Sequence, residues 1–248
     1  MTNKFIPILM KLKFSTPYCE TCISRISSFF ALLNDEDLSK IVGNKTCGFY
    51  KKGQPIFGEG KKPLGIFCIS KGKVKIHKLG DTGKDQIVRL AKLSNILGYR
   101  AFISGEYYTA SATALEDSVI CFIPKSTFSE LLQSNPDLSM KLLQFLSNDL
   151  RTAETQITHL AQRHVRERLA ETLLILKEYY GVENDGATLS VSMTREEIAN
   201  MVGTATETVI RIFSEFKKEK LIGLNGRKLK ILDHPALIKA SNIWGQTR

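Results

Sequence analysis

Thr194-Arg-Glu-Glu-Ile-Ala-Asn-Met-Val-Gly-Thr-Ala-Thr-Glu-Thr-Val-Ile-Arg-Ile-Phe213 decides the fold. Thr194 with Glu197, and ten residues later Thr204 with Glu207, have the spacing of a capping box. Two helix starts so close together require a short first helix and a tight turn. Gly203 suits the positive φ of that turn, and Ala199 is small where two helices must cross. Ile198, Val202, Val209 and Ile212 are spaced to fill one shared core. The pattern predicts a helix-turn-helix. Leu221-Ile-Gly-Leu-Asn-Gly-Arg-Lys-Leu-Lys-Ile231 then reads as two strands about Asn225-Gly226, a favoured hairpin turn, and hence as a wing.

A recognition helix enters the major groove N-terminus first. Thr206, Glu207 and Arg211 lie on or beside its exposed first turns and are the candidate base readers. Glu207 can accept from cytosine N4, and Arg211, one turn on, can donate bidentately to guanine. The competing roles are a cap alone for Glu207 and a solvated helix face for Arg211. Thr194, Arg195, Thr204, Arg227 and Lys228 are the candidate phosphate contacts, the last two at the tip of the wing.

Upstream, Asn135-Pro136-Asp137 is a helix start: an N-cap, a proline at the first helical position, and an acid at the positive end of the dipole. Neither proline nor glycine then interrupts the chain until Gly181. Leu143, Leu146, Leu150, Ala153, Ile157, Leu160 and His164 follow in steps of 3 and 4 with mostly polar residues between. This narrow stripe reads as a dimer seam of about three heptads rather than as a core-facing helix. A second amphipathic helix is expected over 166–181.

Residues 1–130 have a different grammar. Eleven of the 17 glycines lie between Gly43 and Gly105, alternating with short apolar runs such as Gly65-Ile-Phe-Cys-Ile69 and Val74-Lys-Ile76. Short strands with regular turn signals predict an antiparallel sandwich or barrel. The whole is therefore of the α+β class. It divides into an N-terminal extension with C-x-x-C (1–24), a β sensor domain (25–134), a dimerisation helix (135–165) and a winged helix-turn-helix (166–248).

Composition limits the function classes. The net charge is +10, which suggests a polyanionic partner. Residues 40–92 hold 13 Lys/Arg and 3 Asp/Glu, however, so charge alone would place a DNA site in the wrong domain. The longest apolar runs fall far short of the roughly 20 residues that span a bilayer. No signal-peptide pattern is present, so no membrane partner is expected and a cytoplasmic location is. Five cysteines, an odd number, argue against a disulfide framework and fit a reducing compartment.

The chain resembles the Crp/Fnr family of transcription regulators over nearly its whole length. The resemblance is carried by Gly53-Gln-Pro-Ile-Phe57, Ile69-Ser-Lys-Gly-Lys-Val-Lys75, Leu97-Gly-Tyr-Arg-Ala101, Ala112-Thr-Ala-Leu-Glu116, Val165-Arg-Glu-Arg-Leu169 and the Thr194–Phe213 motif. It implies a cyclic-nucleotide-binding-like jelly roll, a dimerising helix and a winged helix that reads double-stranded DNA. It also implies a homodimer on a palindromic site, with RNA polymerase as a partner. Glu207 and Arg211 match the family's Glu-x-x-x-Arg pair, while Thr206 stands where the cAMP-responsive members have arginine.

The implied effector pocket comprises Gly98, Tyr99, Arg100, Tyr108 and Thr109. Gly98-Tyr99 replaces the family's ribose-binding Gly-Glu, and Tyr108-Thr109 replaces its phosphate-binding Arg-Ser or Arg-Thr. Tyrosine cannot supply the missing guanidinium charge, so cyclic AMP is not the expected ligand. The chain looks closer to the oxygen-sensing Fnr branch, whose iron–sulfur cluster takes four cysteines. Cys19, Cys22 and Cys121 match three of them. The fourth falls at about Ser28, with Cys47 as a substitute on a strand edge, and Cys68 reads as a buried structural cysteine. Zinc, thiol redox chemistry or an unoccupied pair are the alternatives at Cys19 and Cys22. Haem ligation through histidine, known in the family, is the further alternative, but His77 reads as a strand residue and His159 and His164 as residues of the dimer helix. A thiol oxidoreductase using Cys19 and Cys22 lacks the strand-to-helix context of such enzymes, and no catalytic constellation accompanies the pair. A nucleotide-binding module serving another protein would not need the helix-turn-helix.

Overall fold

A computed structural model describes Cys22 and residues 29–81 and 83–242. Cys19 and Ser28 lie outside the described residues. After a 3₁₀ turn at Phe29–Leu32 and helix α1 (Asp35–Asn44), the chain enters a β domain. Its strands are β1 (Thr46–Tyr50), β2 (Pro55–Phe57), β3 (Gly65–Lys71), β4 (Lys73–Leu79), β5 (Asp85–Lys92), β6 (Ile96–Leu97), β7 (Ser111–Ala114) and β8 (Ser118–Pro124), with the short helix α2 (Tyr99–Ser104) before β7. The strands pair antiparallel into two four-stranded sheets, β1-β8-β3-β6 and β2-β7-β4-β5. Ile69, Val74, Ile76, Ala91, Leu97, Ala112 and Ile120 form a core of this domain. The alternation of buried and exposed positions along β4 is what a sheet with one covered face requires.

The β domain runs through α3 (Lys125–Ser134) into α4 (Pro136–Gln162). Asn135 caps α4 as its sequence demands, its side chain accepting from Leu138 N–H at 3.0 Å, with Pro136 at the first turn. At 27 residues α4 is about 40 Å long. Its first turns bury Leu138 and Leu142 in a second core with Phe29, Ile66, Phe128 and Leu131. Further along, Leu143, Leu150 and Ile157 are 58–66% exposed, and Leu160 is exposed as well. Ala153 is half-buried, and Leu146 leans on the chain's own core. The stripe of the sequence reading thus stands open over most of its length. The helix ends at Gln162, short of the expected 165, because His164 starts the next helix: its backbone N–H donates to Glu167 at 2.9 Å in a capping box.

Helix α5 (Val165–Tyr180) opens the C-terminal unit, followed by α6 (Arg195–Val202), α7 (Thr206–Lys218), strands β9 (Ile222–Asn225) and β10 (Lys228–Ile231), and α8 (His234–Ser241). Leu169, Leu173, Leu176, Ile198, Val202, Val209, Ile212, Phe213 and Phe216 make its core. Ile87 of β5 and Leu115 belong to the same cluster, so this unit packs on the β domain without a gap.

Candidate nucleic-acid interface

The Thr194 capping box is present in both directions: Glu197 N–H donates to Thr194 Oγ1 at 3.0 Å, and Thr194 N–H donates to Glu197 Oε2 at 2.9 Å. Gly203 adopts φ 72°, and the backbone N–H groups of Gly203 and Thr204 both reach back to Ala199 O. This closure explains a departure from the sequence reading. Thr204 is held by the end of α6, so α7 starts one residue later with Ala205 at its N-cap and no side-chain capping bond. The second capping box is not formed. Glu207 therefore sits in the first turn of α7 with its carboxylate exposed.

One face of α7 buries Val209, Ile212, Phe213 and Phe216. The opposite face presents Glu207, Ile210 and Arg211, with Thr206 half-buried at its start. Arg211 makes an exposed pair with Glu215 at 2.6 Å. Arg195 has a local role: its guanidinium donates to Gly226 O at 3.1 Å and lies 4.8 Å from the Phe213 ring centroid. It braces the wing against the recognition helix. Burial lowers its pKa from the ordinary arginine value. Lys228 pairs with Glu183 at 2.8 Å, Arg227 is exposed, and Thr194 and Thr204 are half-buried near the helix starts. Asn225 pairs with Lys228, so the two-residue turn is Gly226-Arg227, one position beyond the Asn225-Gly226 turn expected. That register puts Arg227 at the tip.

The five candidate effector residues do not converge. Gly98, at φ 82°, starts α2 and lies against Tyr108, whose ring would be 3.3 Å from any Cβ added there. Tyr108 is buried and stacks on Phe57 with centroids 4.1 Å apart, and burial pushes its phenol up to about 12. Thr109 is exposed. Tyr99 is buried, and with Arg100 it reaches α4. There Asp149 accepts from the Tyr99 hydroxyl, from Arg89 Nη1 at 2.9 Å and from Arg100 Nη2 at 2.8 Å. Burial alone would raise the Asp149 carboxyl; Arg89, the Tyr99 hydroxyl and Arg100 outweigh it and hold the group below the usual range. Asp149 and Arg89 were not legible as site residues, since each looks like a charge on a solvated face.

The cysteines depart from expectation too. Cys47 and Cys121 are direct partners on β1 and β8 and form a disulfide, although the odd cysteine number argued against one. Among the described residues no group of three or more His, Cys, Asp or Glu is gathered to hold a metal. With Cys121 bonded to Cys47 and Cys22 beside Ser70, the described cysteines do not make a four-thiolate set. Cys68 is buried as expected. His77 contacts Thr113 and Asp85, and His159 contacts Glu171.

Comparison with known proteins follows the same lines. Residues 48–135 match the cyclic nucleotide-binding domain and residues 167–240 the Crp-like helix-turn-helix domain. The chain is 31% identical to the transcriptional activator protein Anr of Pseudomonas aeruginosa over 184 residues, 74% of this chain and 75% of that one. It is 27% identical to the fumarate and nitrate reduction regulatory protein of Vibrio cholerae over 235 residues, 93% of each. A Crp/Fnr-family transcriptional regulator of Thermus thermophilus superposes with a TM-score of 0.68 at 25% identity, over 79% of this chain and 98% of that one. FixK2 of Bradyrhizobium japonicum, at 23% identity, shares the fold with a TM-score of 0.71 over 79% and 96%. No helix among the described residues is long and apolar enough to cross a membrane. With its β roll, long helix and helix-turn-helix in the family's order, this chain belongs to the Crp/Fnr family of DNA-binding transcription regulators.

Proposed function

We propose that the protein acts in the cytoplasm as a homodimer that reads a palindromic DNA site and responds to a small-molecule or redox signal other than cyclic AMP. The observation that carries this reading is the two-sidedness of α7. Its apolar face is wholly spent on the core, while Glu207, Ile210 and Arg211 face outward from its first two turns. Glu207 and Arg211 are one turn apart on that face, so both reach a single groove, with Thr206 beside them. Thr194, Thr204, Arg227 and Lys228 frame this face at the helix starts and wing tip, where phosphates run. Arg195 supports them by fixing the wing.

Dimerisation through α4 is supported by the open Leu143, Leu150 and Ile157 row, a heptad stripe that a second copy would cover. The two recognition helices would then meet half-sites about 34 Å apart. A signal other than cyclic AMP is supported by the apolar stacking of Tyr108 on Phe57 at the position where the family's phosphate-binding arginine belongs. RNA polymerase is the further partner the family implies. A gel-shift with a randomised inverted-repeat library tests the reading. Enrichment of a two-fold-symmetric sequence is expected, and uniform recovery of all sequences would refute it.

A further inference from the structure

Cys121 is flanked in register on both sides. Cys47 of β1 is its partner across one ladder and Cys68 of β3 across the other. Register partners share a face of a sheet, so three cysteines stand in a row across three adjacent strands. Cys22 comes down at Ser70, two residues along β3 from Cys68, with its Sγ 3.6 Å from Ser70 Oγ. The row is graded in access. Cys47 lies half-buried on the edge strand, whereas Cys121 and Cys68 are buried.

We propose that Cys47 and Cys121 form a reversible thiol-oxidation site whose co-reactants are low-molecular-weight thiols and their disulfides. The proposal rests on the reading of the chain as an intracellular DNA-binding regulator, because that compartment does not maintain structural disulfides, and disulfides found there are mostly redox-sensing or catalytic. The chain also has no need of a staple: three hydrophobic clusters already hold it together. A directly opposed pair in such a chain is therefore placed for chemistry.

Access sets the order of events. In the reducing direction a small thiolate attacks Cys47 Sγ on the edge strand, the protein disulfide breaks, and Cys121 leaves as a thiolate and takes up a proton. A second small thiolate attacks the outer sulfur of the mixed disulfide, which releases Cys47 as a thiol and the small-molecule disulfide. Two thiols are consumed and one disulfide is formed, a two-electron exchange that runs backwards on oxidation. The structural effect is local but well placed. β1 follows directly from α1, and β8 runs directly into α3 and the long helix α4. The bond therefore ties the entry of the β domain to the strand that feeds the long helix. It also occupies the sulfur of Cys121, the position where the resemblance to cluster-binding regulators puts a ligand, so disulfide and ligation at that sulfur exclude one another.

The test is a redox titration of the full chain in glutathione and glutathione-disulfide mixtures running from fully reducing to fully oxidising. Each sample is acid-quenched, alkylated with iodoacetamide under denaturing conditions and mapped by peptide mass. Cys47 and Cys121 are expected to pass together from alkylated to cross-linked as one two-electron step within the series. Cys47→Ser should leave Cys121 outside any cross-link at every ratio, with circular dichroism confirming the native fold, and Cys121→Ser should halt Cys47 at its mixed disulfide with glutathione in the oxidising mixtures. A Cys47–Cys121 link that survives the most reducing mixture would make the bond a structural staple and overturn the proposal. So would no link at the most oxidising mixture, or a wild-type link from Cys121 to Cys68. The titration contains no DNA, so a failed gel-shift would count against the DNA reading and leave the thiol couple standing.

Discussion

Lys75 of β4 and Glu197 of α6 meet at 3.1 Å across the boundary between the β domain and the helix-turn-helix, each with about one-seventh of its side chain exposed. Glu197 is also the return arm of the Thr194 capping box, so a single carboxylate both starts the helix and moors it to the β sheet. Gln86 adds a longer contact to Met201 O at 3.5 Å, and Lys52 donates to Ser192 O at 3.3 Å.

Cutting this mooring should loosen the reading head without unfolding the roll. Lys75→Ala leaves a mostly buried carboxylate without its counter-charge, a cost of about 1–3 kcal/mol. Amide exchange in α6 should quicken by about 5- to 150-fold, since each 1.4 kcal/mol is tenfold, while β3 and β8 keep their protection. Burial by itself would raise the Glu197 carboxyl, but the Thr194 N–H, Lys75 and the charge of Lys52 hold it below its ordinary value. The mooring is therefore fully present above about pH 4.3, the unperturbed glutamate value, and is lost as pH falls through the lowered one. Protection factors in α6 that stay constant as pH falls well below about 4.3, or that are unchanged in the Lys75 variant, would contradict the assignment.

Arg211 and Lys228 should fail in different ways. The exposed Arg211–Glu215 pair is worth a few tenths of a kcal/mol at most, so DNA can take the guanidinium over at little cost. Arg211→Ala is expected to lose about 1–3 kcal/mol on the preferred site and to relax preference at one base pair per half-site. Lys228→Ala should weaken all sequences alike and reduce the salt slope by about one. Competition binding on single-base variants separates the two patterns, and identical, sequence-independent losses would remove Arg211 from the base readers.

Ala153 lies midway along the α4 stripe, between Leu150 and Ile157. A small apolar side chain there permits close helix approach and brings no charge to the two-fold axis. A dimer is therefore expected at micromolar concentration without effector. Ala153→Asp should give monomer, because two carboxylates would face each other across the two-fold axis in a desolvated seam. Sedimentation of the wild-type chain as a monomer would show that α4 is not the seam.

At Tyr108 the expected result is an absence of binding. Calorimetric titration with cyclic AMP to about 1 mM should give no saturable heat, because Tyr108 stacks on Phe57 and offers no charge to a phosphate. Saturable binding would show that the stacked pair opens and would restore a nucleotide as the signal.

How far the fold was legible follows from the range of the interactions that set it. Caps, turns and periodicity act within a few residues, so Asn135, Thr194 and Gly203 announced their helix ends in the sequence. The Thr204–Glu207 box failed because a competing local bond, Thr204 N–H to Ala199 O, belongs to the preceding helix end and claims the residue first. Asp149 could not be anticipated, since its partners Arg89 and Tyr99 reach it only once α2 and β5 have packed beside α4. The pairing of Cys47 with Cys121 spans 74 residues and depends on which strands become neighbours. Local spacing carries no trace of that choice.

Arg168, just past the break between α4 and α5, donates to four backbone carbonyls: Leu160, Arg163, Val202 and Gly203. Two of these oxygens end the long helix and two end the first reading helix. The side chain works as a latch with matched strikes rather than as a spring. Because α5 shares a core with α6, swinging the reading head away from the long helix parts the guanidinium from Leu160 and Arg163 and leaves it on Val202 and Gly203. The end of the long helix is thus capped by a side chain of the head, and the head cannot turn on that helix without uncapping it.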